Sequence, residues 1–324
     1  MRHKRKLHRR EARKQKRILI ISLFTVLLCL TVGYASFSTN INLSAKGNIY
    51  NKGDLCYETS DNGDGTVTIT DYDKSCGSEV NIPNTIKGKT VTKIGNAGWG
   101  SSKVFNHKSL TKVTIPDTVT YIGTYAFSDN QISNLDLGTG VQKIGTEAFL
   151  VNKLTNITFP KSLTIINSGA FIYNNLTSIP PLDNISYGDG AFSSNNLKPE
   201  EAFIYSKNID GTIDYTTLNS YASKTYIDTL NIPSNIKIIK GFSLRHISAG
   251  TITFSEGFEK VSAYSIMQTH VTTINLPSTT KEIDNHAFEQ STDIKTININ
   301  RTENAIEGAP WGATNATVNW TGTD

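Results

Sequence analysis

Residues 110–131 read LTKVTIPDTVTYIGTYAFSDNQ, and residues 132–153 read ISNLDLGTGVQKIGTEAFLVNK. Residues 154–175 (LTNITFPKSLTIINSGAFIYNN) and 176–196 (LTSIPPLDNISYGDGAFSSNN) follow the same template. The leading apolar residues stand at 110, 132, 154 and 176, a constant step of 22. Ala-Phe pairs fall at 126–127, 148–149, 170–171 and 191–192. Working outward, a looser copy precedes them at Ile82-Pro83 and Ile94-Gly95, with extra residues around Lys87–Lys89 and Ser101–His107. Later copies resume at Ile232-Pro233, Phe254-Ser255 and Leu276-Pro277 and close at Ala287-Phe288. A 22-residue unit cannot bury its own apolar face, so repetition at this period predicts coils stacked around one continuous core.

Within a unit the residue types divide the labour. Leu110, Val113 and Ile115 have the spacing of a coil edge, and Pro116 follows where no ladder donor is needed. Ala126 is small where coils approach closely. Phe127 supplies bulk to the core, as do Phe149, Phe171, Phe192 and Phe288. Asn130, Asn152, Asn174 and Asn195 stand two residues before the next leading position. An asparagine there can bond backbone groups of its own turn and of a neighbouring one. The other reading of this column is a polar binding stripe.

Residues 198–226 break the repeat. Ala202–Tyr205 and Thr212–Tyr215 flank Asn208-Ile209-Asp210-Gly211, which reads as a hairpin. Insertions in a solenoid map to loops on one face, often the binding face. Phe203, Tyr205, Tyr215, Tyr221 and Tyr226 are the candidate contact residues, against the plainer reading that they pack the insertion onto the stack. Residues 54–82 read as another hairpin. Asp61-Asn62-Gly63-Asp64-Gly65 has glycine where a calcium loop needs oxygen ligands, so it reads as a turn. Residues 300–324, with Trp311 and Trp320, depart from the repeat and read as a cap.

The ends carry the topological information. Residues 1–17 hold ten Lys/Arg and one Glu, so the other 307 residues carry −5 of a net +4. The positive charge is a tail rather than a property of the folded part, which argues against a nucleic-acid partner. An apolar stretch follows at Ile18–Val32, then small residues at Gly33 and Ala35. This is the pattern of an export signal cleaved between Ala35 and Ser36. Counted through Phe37 it is also long enough for a single-span anchor with a cytoplasmic tail. Both readings put the bulk outside the cell. In an exported chain Cys56 and Cys76 read most simply as a disulfide, with two reduced thiols as the alternative.

The unit Leu-Thr-x-Val-x-Ile-Pro-x-x-Val-x-x-Ile-Gly-x-x-Ala-Phe at 110–127 resembles the BspA-type leucine-rich repeat of bacterial surface proteins. The Cys56–Cys76 segment followed by Ile82-Pro83 resembles the lead-in of such proteins from Gram-positive bacteria. The resemblance implies an extracellular β-rich solenoid used in adhesion or partner binding, and supplies no catalytic residues. It weakens at Ser243-Leu244 and Ser265-Ile266, where Ala-Phe belongs, and leaves the coil geometry there open.

His107, His246, His270 and His286 lie in no HExxH and beside no cysteine, and no GxSxG or P-loop occurs. No metal, cofactor or catalytic residue is expected.

The reading is a mainly β, leucine-rich-repeat-type solenoid of 22-residue coils. Its parts are a tail (1–17), a signal or transmembrane anchor helix (18–37), a linker (38–53), an N-terminal β-hairpin cap (54–82), coils (83–197), an insertion (198–226), coils (227–299) and a C-terminal cap (300–324). The expected role is non-enzymatic binding or adhesion to a protein or glycan outside the cell, with a membrane contact through 18–37 if that segment is kept. A secreted enzyme with a site in 198–226, and a structural envelope component, are the alternatives.

Overall fold

The computed structural model describes residues 41–43, 49–96 and 104–323. The signal or anchor stretch, Cys29, Ala35 and Ser36 lie outside the described residues. Two units are present, Met1–Cys56 and Tyr57–Asp324. In the first, Ile41–Leu43 pairs antiparallel with Ile49–Asn51, and a 3-10 turn at Lys52–Cys56 follows. The segment read as a linker therefore contains a two-stranded ribbon.

The second unit is a β-solenoid. One parallel ladder follows the Ile-Gly positions. It begins at the antiparallel hairpin Tyr57–Asp61/Thr66–Tyr72, then runs through Lys89–Ile94, Tyr121–Ile122, Lys143–Ile144 and Ile165–Ile166 to Ser186–Tyr187. A second ladder follows the leading apolar positions: Glu79–Asn81, Lys112–Thr114 and Asn134–Asp136. The register pairs Val113 with Leu135, one 22-residue step on, and Val80 with Val113 across the longer first coil with its extra residues. Each turn of the coil carries left-handed residues just before Ala-Phe and two after it, as at Tyr125 (φ 56°), Asp129 (φ 56°), Glu147 (φ 51°) and Val151 (φ 52°). Such conformations cost about 1–3 kcal/mol each, and they persist because the stack over-determines them.

Two internal columns hold the first run together. Phe105, Phe127, Phe149, Phe171 and Phe192 are fully buried and stack ring on ring, with centroids 4.7, 5.2, 5.3 and 5.7 Å apart and planes within 7°. Tyr57 and Tyr72 close the column against Phe105. Beside it runs the asparagine column. Asn152 Nδ2 donates to the carbonyls of Phe127, Phe149 and Leu150 at 2.9–3.3 Å, while its Oδ1 accepts from the N–H of Ile132 at 3.1 Å. Asn130, Asn174 and Asn195 repeat this set. All four are buried, and each satisfies backbone groups that neither ladder reaches.

The second run uses other means to the same end. The leading ladder becomes five longer parallel strands: Ile227–Asn231, Ser248–Thr253, His270–Leu276, Thr296–Ile299 and Thr317–Trp320. Leu230, Ile252, Ile274 and Ile297 point inward and are buried. Outward, Thr229, Thr251, Thr273, Thr296 and Thr317 form one row and Asn231, Thr253, Asn275, Asn298 and Asn319 the next. The coil geometry left open at Ser243-Leu244 and Ser265-Ile266 is kept. Leu244 N–H donates to Ser265 O at 2.8 Å and Ile266 N–H to Ala287 O at 2.9 Å, as Phe149 N–H does to Ala170 O at 2.9 Å. Aliphatic side chains simply take the phenyl positions. The C-terminal segment adds a further coil: Trp311 packs edge-on against Phe288 at 6.2 Å and Trp320 against Trp311 at 6.3 Å.

Candidate binding surface

The insertion is a hairpin, Phe203–Lys207 against Ile213–Tyr221. Its turn is chemically specific. Asn208 Nδ2 donates to Thr212 Oγ1 at 3.0 Å, and Asp210 Oδ1 accepts from the Thr212 N–H and hydroxyl at 2.9 and 2.6 Å. Gly211 takes φ 84°, where a side chain would be strained. The cap hairpin uses the same set: Asn62 to Thr66 at 2.8 Å, Asp64 accepting from Thr66 at 3.0 and 2.6 Å, and Gly65 at φ 85°. Threonine donors hold both aspartates below the usual carboxylate range. In the cap turn Asp61 also accepts from Gly63 N–H and pairs with Lys89, so its carboxylates are occupied with turn and strand.

The second strand of the insertion does not leave the stack. Leu218 occupies the Ile-Gly position, since Thr217 and Leu218 pair in parallel with Ile238 and Ile239, and Lys240 N–H donates to Leu218 O. Tyr221 then stands where other coils carry phenylalanine, its N–H donating to Ser243 O at 2.7 Å. This corrects the sequence reading of Tyr221 as a contact residue. It is 2% exposed, packs on Phe203 at 5.0 Å, and burial pushes its phenol up to about 12. Phe203 and Tyr205 are half-buried. Tyr215 and Tyr226 are 59% and 60% exposed.

The tip is apolar. Ile209 is fully exposed and Ile213 is 46% exposed. The base is fixed. Lys207 Nζ donates to the carbonyls of Leu182, Asp183 and Ile185 at 2.6, 2.9 and 3.1 Å and sits 5.6 Å from the Tyr187 ring. The Tyr187 hydroxyl donates to Tyr205 O at 2.7 Å. A groove of 370 Å³ beside the hairpin is lined by Ile179, Pro180, Tyr187, Tyr205 and Ile213. A second groove of 510 Å³, which shares Asp183, Tyr187, Lys207 and Gly211 with the first, is lined by Asn184, Ser186, Asn208, Ile209 and Asp210. The acidic residues around the hairpin have local tasks. Glu201 pairs with Lys198 at 3.6 Å, and Asp214 accepts from Thr216 at 2.9 and 2.6 Å, which holds it ionised.

One feature escapes sequence reasoning. Glu147 and Arg245, 5% and 9% exposed, form an ion pair at 3.3 Å that bridges the two runs. Arg245 Nε also donates to Gln268 Oε1 at 2.9 Å, and the Tyr125 hydroxyl bonds Glu147. Burial pushes the Glu147 carboxyl up, and the Arg245 guanidinium opposes it. Room comes from glycines at the position before Ala-Phe. A Cβ on Gly169 would lie 2.9 Å from Glu147 Cγ, and one on Gly190 2.5 Å from Phe242 Cβ. Those two glycines, where other coils carry Tyr125, Phe242 or Tyr264, were the only signal in the sequence.

Known proteins place the fold. The sequence profile of the BspA type leucine rich repeat region matches in six copies over residues 100–215 and 215–315. No curated protein matches the chain. A leucine-rich repeat protein from Eubacterium ventriosum is similar in structure, with TM-score 0.55 and 21% identity over 87% of this chain and 78% of that one. A leucine rich cell surface protein from Faecalibacterium prausnitzii gives TM-score 0.35 and 20% identity over 83% and 94%. The pneumococcal vaccine antigen PcpA gives 0.43 and 15% over 82% and 83%.

Proposed function

We propose that this chain, which belongs to the BspA-type leucine-rich-repeat family, is an extracellular interaction scaffold that grips a protein partner with the hairpin at residues 203–215. The observation that carries this reading is the hairpin itself. It lifts Ile209, Ile213 and Tyr215 into solvent on a base tied down by Lys207 and Tyr187. Rigid apolar and aromatic anchors of this kind lose little conformational entropy on binding and dominate interface energies.

Location outside the cell rests on the sequence of residues 1–37 and on the cysteines. Among the described residues no helix is long and apolar enough to cross a membrane; the anchor we propose is the apolar stretch at 18–37. Cys56 and Cys76 are both disulfide-bonded, which suits an oxidising compartment, and we take them as partners. Adhesion is the finer reading: a tethered scaffold with a projecting anchor holds its cell to whatever the anchor fits. In the full chain, Ile209→Ser with Tyr215→Ala should weaken capture on an array of matrix and host-surface proteins by about tenfold or more. Capture that is absent, or indifferent to both changes, would overturn the reading. Ser36 at the N-terminus of released protein would identify a cleaved signal, and an intact tail in membranes an anchor.

A further inference from the structure

We propose that the outward face of the second run's strand ladder binds an uncharged, hydroxyl-rich polysaccharide laid along the solenoid axis. The hairpin and this face are separate surfaces, and the two readings stand or fall independently.

The face is a regular polar array. Asn319 Nδ2 donates to Asn298 Oδ1 at 2.9 Å, and Asn298 Nδ2 to Asn275 Oδ1 at 2.8 Å. The chain of amides fixes each carboxamide in one orientation and leaves every interior one a second N–H and a second lone pair. A planar donor and acceptor side by side match a pair of neighbouring sugar hydroxyls. The ladder accounts for the asparagines, but not for the threonine row beside them. Among the described residues the hydroxyls of Thr251, Thr273 and Thr296 make no hydrogen bond to the protein. They form a row of free hydroxyls next to a row of amides, with strands about 4.8 Å apart. That repeat is close to the length of one sugar in an extended β-linked chain; successive sugars are turned over, so every second strand would meet the same sugar edge, with Thr273–Asn275 and Thr317–Asn319 equivalent in this sense.

Charge supports a neutral ligand. In the first run the same two rows hold Glu79, Lys112 and Asp136. In the second run, Asn-Ile-Pro at 231–233 marks the same register as Asn81-Ile82-Pro83, yet all charge is gone from both rows. Tyr226 completes the surface. It is 60% exposed, and its hydroxyl lies 3.4 Å from where a Cβ on Gly250 would stand, so the ring rests against the neighbouring strand. An exposed ring at the edge of a hydroxyl array is a platform for the C–H face of a pyranose. A protein partner finds no buried apolar anchor here.

The test uses full-length protein in detergent, with cellohexaose, chitohexaose and hexagalacturonate as probes in calorimetry. One of the two neutral hexaoses should bind. Thr273→Lys with Thr296→Lys should weaken it by about tenfold or more, and Tyr226→Ala by less. Thr273→Val with Thr296→Val removes only the hydroxyls, keeps the fold and should also weaken binding. Glu79→Lys in the first run, and Ile209→Ser with Tyr215→Ala on the hairpin, should leave it unchanged. No binding of either neutral hexaose, binding of hexagalacturonate alone, or binding indifferent to the threonine changes would overturn the proposal.

Discussion

The two runs of coils solve one problem with different residues. The first buries five stacked phenylalanines and ties its turns with asparagine side chains, so its leading strands are only three residues long. The second replaces phenylalanine by Tyr221, Leu244 and Ile266 and asparagine by Thr269 and Ser291, and its leading strands run to seven residues. Ser291 Oγ still donates to Ile266 O at 2.7 Å and accepts from the Thr269 N–H and hydroxyl, both at 3.3 Å, so it ties two backbone groups where Asn152 ties four. Backbone ladder and side-chain stitching are therefore interchangeable ways of satisfying a coil. Where one is long the other can be short.

The largest effect that would break the comparison lies in the phenyl column. Phe149→Ala should cost about 3–5 kcal/mol in denaturant unfolding, more than Ile266→Ala at the matching position, because Phe149 stacks on rings both above and below. Equal costs would mean that ring stacking adds nothing. Next comes the bridge between the runs. Glu147→Leu strands a buried guanidinium and should cost about 3 kcal/mol, while Glu147→Leu with Arg245→Met should recover most of it. Asn152→Ala should cost about 2 kcal/mol and Ser291→Ala about 1, in proportion to the backbone groups each would leave unpaired.

A smaller effect is set by pH. Burial, with Arg245 and His270 adding to it, pushes the His246 imidazole down to about 4, and the Tyr173 ring packs against it at 5.0 Å. Between pH 4 and about 6.5 the unfolded chain takes up a proton that the folded one refuses. His246 therefore contributes stability above about pH 7 that is lost as pH falls towards 4. His246→Gln should flatten that part of the curve. Smallest is Ser265→Ala. The Ser265 hydroxyl is buried without a partner where the first run carries alanine, so the change should raise stability by about 1 kcal/mol.

The coil period was legible because Leu110, Ala126, Phe127 and Asn130 recur at a fixed step and each has a physical reason to recur. The second run was harder to read because any apolar side chain fills the phenyl position, so Leu244 and Ile266 leave no signature. Residues 198–226 read as an interruption because Tyr221 reaches the core three residues after Leu218, off the 22-residue step. The matching turns Asn62–Thr66 and Asn208–Thr212 were visible in the sequence. Their meaning, that each run opens with its own hairpin, depends on the parallel pairing that follows each of them. The tyrosines were read as a set, although burial divides them: Tyr215 and Tyr226 face solvent, and Tyr221 does not. The Glu147–Arg245 pair joins residues too distant in sequence for any local pattern to connect them.

That pair also governs how the molecule meets tension. A stack whose coils touch only their neighbours opens like a zip, one coil at a time from a free end. The bond from Glu147 to Arg245 reaches over the intervening coils and the hairpin between them. Peeling that starts at the C-terminal end can release coils singly only as far as residue 245. Beyond it the load falls on the clasp, and the coils it encloses must yield together or hold.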